Sequence, residues 1–314
     1  MSGADSWDEF ELIGRLFRPL AKGAPEALGL MDDAAVIPSR PGFDLVVTKD
    51  ALVEGVHFLP DDPLDLVARK ALRVNLSDLA AKGAAPYGYF LAVAWPGGLR
   101  DHEAFARGLG EDQQRYGLKL LGGDTTATPG PLTLSVTMLG WVEAGRAVLR
   151  STARPGDELV LSGTIGDGRL GLLAAQGKLE DLAAAQVAWL ADRYRLPQPR
   201  LDLDVASLAA AADVSDGLIA DAGHIAEASG LGVEIDLDRL PVSDAAQAWL
   251  DRGADLLALA SGGDDYEIVG AARTGAPGGF TQVGRFIRGS GVTVLEAGQP
   301  VQVAHAGYRH GKDG

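Results

Sequence analysis

The chain has 314 residues, 46% of them hydrophobic and 23% charged, the balance of a soluble globular protein long enough for two domains. Its 43 acidic against 28 basic residues leave a net charge of −15, which disfavours nucleic acid and anionic membrane as partners. Cysteine is absent, so disulfides, thiolate nucleophiles, zinc–thiolate sites and iron–sulfur clusters are excluded.

The start, Met1 to Phe10, is polar and acidic, with no basic segment leading into an apolar one. The strongest apolar run, Phe90 to Trp95, is too short to span a bilayer. A cytoplasmic protein is the expectation. Ser6-Trp7-Asp8-Glu9 has capping-box spacing, with Phe10, Ile13, Phe17 and Leu20 following on one helical face. Ala34 to Ile37 and Phe43 to Thr48 read as short strands about the Pro41-Gly42 turn. Asp62-Pro63 opens a predicted helix that stops near Gly83, with Asn75 and Asp78 on one face. A strand from Tyr87 to Trp95 and a helix from Asp101 to Tyr116 follow. Leu118 to Leu121 is read as a strand delivering Gly122-Gly123-Asp124 at its end, and Leu132 to Val142 as a long, exposed apolar strand in need of a partner.

Polar and glycine-rich residues from Glu143 to Gly145 and at Arg154-Pro155-Gly156-Asp157 mark a boundary, which divides the chain into domains 1–145 and 146–314. Beyond it a strand is expected at Glu158 to Leu161. Helices are expected at Gly168 to Gln176, Leu182 to Tyr194, Leu201 to Ala212 and from Asp213-Val214-Ser215-Asp216-Gly217 to Ser229. A strand at Gly232 to Leu237, a helix at Asp244 to Asp251, and strands at Tyr266 to Ala271, Thr281 to Phe286 and Val292 to Leu295 complete an α/β, mixed α+β, two-layer reading of both halves.

Six times an acidic residue sits among small or hydroxyl residues: Met31-Asp32-Asp33, Thr48-Lys49-Asp50, Asn75-Leu76-Ser77-Asp78, Gly122-Gly123-Asp124-Thr125-Thr126, Asp213-Val214-Ser215-Asp216-Gly217 and Ser261-Gly262-Gly263-Asp264-Asp265. Hard cations such as Mg²⁺ take carboxylate and hydroxyl oxygens, and small neighbours let phosphate approach backbone N–H groups. Each motif alone also reads as a turn or a helix cap. Asp50 inside a strand resists that reading, because strands disfavour Asp. Taken alone, His57 reads as a structural histidine and Arg150 as a surface charge. No Walker A sequence and no strand-linked GxGxxG is present.

In this order, and with Gly55-Val56-His57-Phe58 and the Ser-Gly-Gly-x-Asp-Tyr-Glu run ending at Glu267, the motifs resemble the thiamine-monophosphate kinase family from about Asp32 to Tyr308. That family belongs to the aminoimidazole ribonucleotide synthetase-like superfamily. The resemblance implies a two-domain α/β fold, a homodimer whose N-terminal strands form a shared barrel, and ATP with several Mg²⁺ ions. It implies phosphorylation of thiamine monophosphate to thiamine diphosphate by direct in-line transfer, without a catalytic base or covalent nucleophile. It assigns metal ligation to Asp33, Thr48, Asp50, Asp78, Asp124, Asp213 and Asp216. It assigns ATP contacts to Gly123, Asp124, Arg150 and Ser215, and substrate contacts to His57, Asp264 and Tyr308.

The chain departs from the family pattern at Met31, where a glycine is usual, at Lys49, where a hydroxyl residue is usual, and at Asp264, where a glutamate is usual. Lys49 either replaces a metal charge, so that Lys49→Thr alters Mg²⁺ dependence, or points away from Thr48 and Asp50 as the strand period allows. A non-catalytic nucleotide- or metal-binding homologue, another ATP-dependent enzyme of the superfamily, and an acidic structural protein are the competing readings.

Overall fold

The structure, a computed structural model, describes residues 9–97 and 101–308; Ser6, Trp7 and Asp8 of the expected capping box lie outside the described residues. The chain forms two units, Met1–Leu79 with Ala84–Gly145, and Ala80–Gly83 with Arg146–Gly314.

The N-terminal unit begins with α1 (Glu9–Leu12), a π-helical turn (Ile13–Phe17) and α2 (Arg18–Leu20). Pro19 has no N–H for the regular helical ladder, and the break falls beside it. A 3-10 stretch, Pro25–Leu30, follows. The strand expected at Ala34 to Ile37 does not form: Pro38 and Pro41 remove ladder donors, and Val36 remains 64% exposed.

β1 (Phe43–Val53) is longer than its apolar run and pairs antiparallel along its whole length with β4 (Thr133–Glu143). Between them in the chain come α3 (Leu64–Ala81), β2 (Ala85–Pro96), α4 (His102–Tyr116) and β3 (Leu120–Thr128). Asp101 starts α4 by accepting the Ala104 N–H at 3.2 Å, and Gly117 ends it at φ 68°. The sheet order is β1-β4-β2-β3, with β2 and β3 parallel. Two expectations are corrected here. β4 is an interior strand with Leu134, Val136 and Met138 fully buried, so its apolar residues already have partners, and β1 and β3 are the edges. Gly122-Gly123-Asp124 lies within β3, because parallel pairing with β2 continues from Phe90↔Gly122 to Pro96↔Thr128.

The C-terminal unit contains β5 (Glu158–Ser162), α5 (Asp167–Ala175), α6 (Ala184–Arg195), β6 (Ala210–Asp213), α7 (Leu218–Ala228), β7 (Gly232–Asp236), α8 (Asp244–Leu250), α9 (Leu256–Ala260), β8 (Ile268–Ala272), β9 (Phe280–Ile287), β10 (Gly291–Glu296) and β11 (Gln299–Val301). Its seven-stranded sheet runs β11-β10-β7-β9-β5-β8-β6. Ile219, Ala222 and Ile225 of α7 pack with Leu161, Ile235 and Phe286 of the sheet in one buried core. Leu201 to Ala212 is not the expected helix. A 3-10 turn (Val205–Ser207) leads into β6, whose three alanines are at most 1% exposed and pair with β8. Pairing within the sheet overrides alanine's helical preference. Among the described residues, no helix is long and apolar enough to cross a membrane.

Candidate active site

In the N-terminal unit, Thr48 and Asp50 alternate onto one face of β1, where Asp78 in the last turn of α3 meets them. Thr48 Oγ1 donates to Asp78 Oδ2 at 2.5 Å. Burial, and after it the charge of Asp78 and a hydrogen bond with Asp78, push the Asp50 carboxyl up to about 7. Two carboxylates and a hydroxyl thus converge in a partly buried place, where a proton or a cation must offset the like charges. All three are hard oxygen donors, so the set fits Mg²⁺.

Lys49 is not part of this group. Its ammonium donates to Ser135 Oγ at 2.8 Å and Thr137 Oγ1 at 3.3 Å, on the opposite face of the β1–β4 pair from Thr48 and Asp50. The expectation that it replaces a metal charge is corrected by this pleat geometry. Lys49→Thr should leave the Mg²⁺ concentration for half-maximal activity within about twofold of the parent, read from a metal titration of the rate.

Register places Gly123 in the row of Leu91, Val136 and Asp50, and Asp124 in the row of Ala92, Ser135 and Ala51. In the strand alternation Asp124 therefore falls with Lys49, not with Asp50, and its side chain is exposed. Gly123 has its own structural reason: a Cβ there would lie 2.0 Å from the Leu91 carbonyl oxygen. Thr125 accepts the Trp95 indole N–H at 2.8 Å inside the unit. Asp33 is exposed, and its N–H donates to Asp32 Oδ1 at 2.8 Å. Before it, Leu28, Gly29 and Leu30 all have positive φ (49°, 69° and 54°), a left-handed run on two leucines. Met31 is 73% exposed beside the Arg18 guanidinium.

His57 is held from two sides. The Val53 N–H donates to its Nδ1 at 3.0 Å, so the neutral ring carries its proton on Nε2. Its carbonyl accepts from Lys70 Nζ at 2.9 Å, and that lysine is 2% exposed. Sequence reasoning missed Lys70; the available signal was a cation on the buried face of α3, between Val67 and Ala71.

In the C-terminal unit, β6 ends at buried Asp213, and α7 starts five residues later. The intervening loop accepts three main-chain bonds. Tyr266 N–H donates to Val214 O at 2.8 Å, Asp264 N–H to Ser215 O at 2.9 Å, and Tyr308 N–H to Asp216 O at 3.0 Å. Ser215, Asp216, Asp264 and Tyr308, distant in sequence, are thereby brought together. Asp264 and Tyr266 both have positive φ (68° and 52°), and the Tyr266 hydroxyl donates to Asp264 Oδ1 at 3.1 Å. Arg150 is exposed in a 3-10 turn, where its carbonyl accepts from Ser229 Oγ at 3.0 Å, just past α7.

Three buried acids here carry no role assigned from the sequence, although Asp265 and Glu267 stand within its last motif. Asp221 lies beneath the 215–217 loop. Asp265 accepts the N–H groups of Gly166 and Gly168, each at 2.8 Å, at the start of α5, and burial pushes its carboxyl up. Glu267 accepts from Ser162 Oγ at 2.6 Å and pairs with Arg193 and Arg200. Asp265 and Glu267 carried one usable signal: acids at the entry to an apolar strand.

Residues 31–142 match the family described as AIR synthase related protein, N-terminal domain, and residues 154–292 match AIR synthase related protein, C-terminal domain. Over 323 aligned residues the chain is 53% identical to thiamine-monophosphate kinase of Caulobacter vibrioides, spanning 96% of this chain and 91% of the relative. The chain belongs to the thiamine-monophosphate kinase family. Among solved structures, thiamine-monophosphate kinase from Stenotrophomonas maltophilia superposes with a TM-score of 0.81 at 39% identity, over 93% of this chain and 98% of that one. AaThiL complexed with AMPPCP and TMP superposes with a TM-score of 0.78 at 29% identity, over 98% of this chain and 99% of that one.

For a thiamine-monophosphate kinase the Asp50–Asp78 pair has a measurable consequence. The folded-state pKa of Asp50 is raised from 3.8 to about 7, so its contribution to stability is complete below pH ~4 and is lost as pH rises through about 7. Metal-free protein should therefore show a falling thermal midpoint between pH 5 and 8, and added Mg²⁺ should raise the midpoint more at pH 8 than at pH 5. Asp50→Asn should flatten the pH trend in a thermal unfolding series.

Proposed function

We propose that the chain transfers the γ-phosphoryl group of ATP to thiamine monophosphate, yielding thiamine diphosphate and ADP. The observation that carries this reading is 53% identity to a thiamine-monophosphate kinase along 96% of the chain. A phosphate oxygen of the acceptor forms the new P–O bond, the bond from γ-phosphorus to the bridging oxygen breaks, and ADP leaves. The attacking oxygen is already ionised, so no side chain has to remove a proton.

The obstacle is repulsion between two anions, and bound Mg²⁺ would supply charge neutralisation there. In the N-terminal unit the proposed metal ligands are Thr48, Asp50 and Asp78 on one face of β1, with Asp33 and, on the other face in the strand alternation, Asp124 proposed from the family resemblance alone; in the C-terminal unit they are Asp213 and Asp216. The Thr48–Asp50–Asp78 convergence supports the first set most strongly. Gly123, Asp124, Arg150 and Ser215 are the proposed ATP contacts. His57, Asp264 and Tyr308 are the proposed thiamine monophosphate contacts.

A homodimer is part of the proposal. β1 is an edge strand, and Leu45 (41%) and Val47 (56%) are exposed along it. A second copy pairing with this edge would cover them and close the barrel typical of the family. A cytoplasmic location accompanies the soluble cofactor chemistry.

Purified protein incubated with Mg²⁺, ATP and thiamine monophosphate should form thiamine diphosphate and ADP in equal amounts, by chromatography. ATP binding without either product would overturn the reading in favour of a non-catalytic homologue.

A further inference from the structure

We propose that Asp221 is a positioning residue: an internal anion that occupies the start of α7 and so turns the 213–217 loop into a cation-facing surface. The proposal rests on the reading of Asp213, Ser215 and Asp216 as Mg²⁺–ATP ligands and deepens it.

Asp221 lies in the first turn of α7 and is 1% exposed. Its Oδ2 accepts three consecutive main-chain N–H groups, from Ser215 at 3.0 Å, Asp216 at 3.1 Å and Gly217 at 3.2 Å. Its Oδ1 lies 3.6 Å from His224 Nδ1, one turn further along the helix. A helix start normally offers such N–H groups and its positive dipole end to an external anion such as phosphate. Here one buried carboxylate takes both.

The carbonyl side of the loop is equally committed, with Val214, Ser215 and Asp216 accepting from Tyr266, Asp264 and Tyr308. Gly217, at φ 120°, leaves no room for a side chain, since a Cβ would lie 2.8 Å from the Ser261 carbonyl oxygen. With main-chain groups on both edges bonded internally, the loop meets a ligand through side chains. The Ser215 hydroxyl and the Asp216 carboxylate are oxygen donors to a cation, and phosphate is recruited through that cation and not by bare amides. At this motif the arrangement revises the expectation, drawn for the six acidic motifs together, that small neighbours let phosphate approach backbone N–H groups. A displaced Asp221 would also disturb Asp264 and Tyr308, whose main chains hang from the same loop.

The test compares Asp221→Ala and Asp221→Asn. Asn retains one acceptor oxygen for the three amides, and its NH₂ can donate to the His224 ring nitrogen. Ala removes the acceptor. Asp221→Ala should lower kcat about 100-fold, the scale of a loop displaced by roughly 1 Å. It should also weaken Mn²⁺ binding about tenfold, followed by electron paramagnetic resonance with Mn²⁺ alone, without nucleotide. Asp221→Asn should recover most of both quantities. If the Ala variant does not fold, Asp221→Glu, one methylene too long, replaces it and should show the same two shifts.

A folded Ala or Glu variant with a lowered Tm but parental kcat and Mn²⁺ affinity would overturn the proposal and leave Asp221 a structural cap. Failure of the kinase reading itself is distinguishable: the parent would then form no thiamine diphosphate, while the Mn²⁺ titration would still separate the variants.

Discussion

Asp78→Asn should lower kcat/KM by about 10³-fold, equivalent to about 4 kcal/mol of lost transition-state stabilisation, with little change in thermal midpoint. The substitution keeps the size of the side chain and leaves an oxygen to accept the Thr48 hydroxyl, so β1 and α3 stay joined. What it removes is one of the two converging negative charges. Asp50 then no longer faces a carboxylate, and the group loses the charge density that would favour a divalent cation over a proton. A metal titration of the rate should show a higher Mg²⁺ requirement together with a lower plateau. Activity within tenfold of the parent at the parental Mg²⁺ requirement would remove Asp78 from the metal site.

Glu267→Ala should cost about 3–5 kcal/mol of stability, the scale for removing one partner of a buried ion pair. Glu267 is fully buried and pairs with the Arg193 and Arg200 guanidinium groups, and it accepts the Ser162 hydroxyl at 2.6 Å. Ser162 Oγ in turn accepts the Ile268 N–H at 2.8 Å, which ties the end of β5 to the start of β8. Without the carboxylate, the Arg193 cation (7% exposed) stays in low dielectric with its main counter-charge gone. The thermal midpoint should fall on the order of 10 °C. Glu267→Gln should lie between the two, because it preserves shape and one acceptor. A midpoint shift of less than about 2 °C for the Ala variant would contradict this role.

Several parts of the fold and site were legible because their signals are local. Alternation along β1 placed Thr48 and Asp50 on one face, and an acid inside a strand marked Asp50 as unusual. The Asp-Pro start and the glycine stop outlined α3, and with it Asp78. Other features depended on pairing that no single segment carries. Gly122-Gly123-Asp124 read as a turn at a strand end, yet β2 holds it in extended form. Ala210 to Ala212 read as helix, yet β8 draws the segment into the sheet. The side taken by Lys49 was decided by Ser135 and Thr137, 86 and 88 residues away. Asp221 belongs to none of the six motifs, and only the fold of its own loop shows three amides converging on one oxygen.

The most direct test of transfer without a protein nucleophile is the stereochemical course at phosphorus, using ATP made chiral at its γ-phosphorus with oxygen isotopes and sulfur. Transfer to thiamine monophosphate should give thiamine diphosphate with inverted configuration at the transferred phosphorus, as a single in-line displacement requires. Retained configuration would contradict direct transfer and demand a covalent phosphoenzyme.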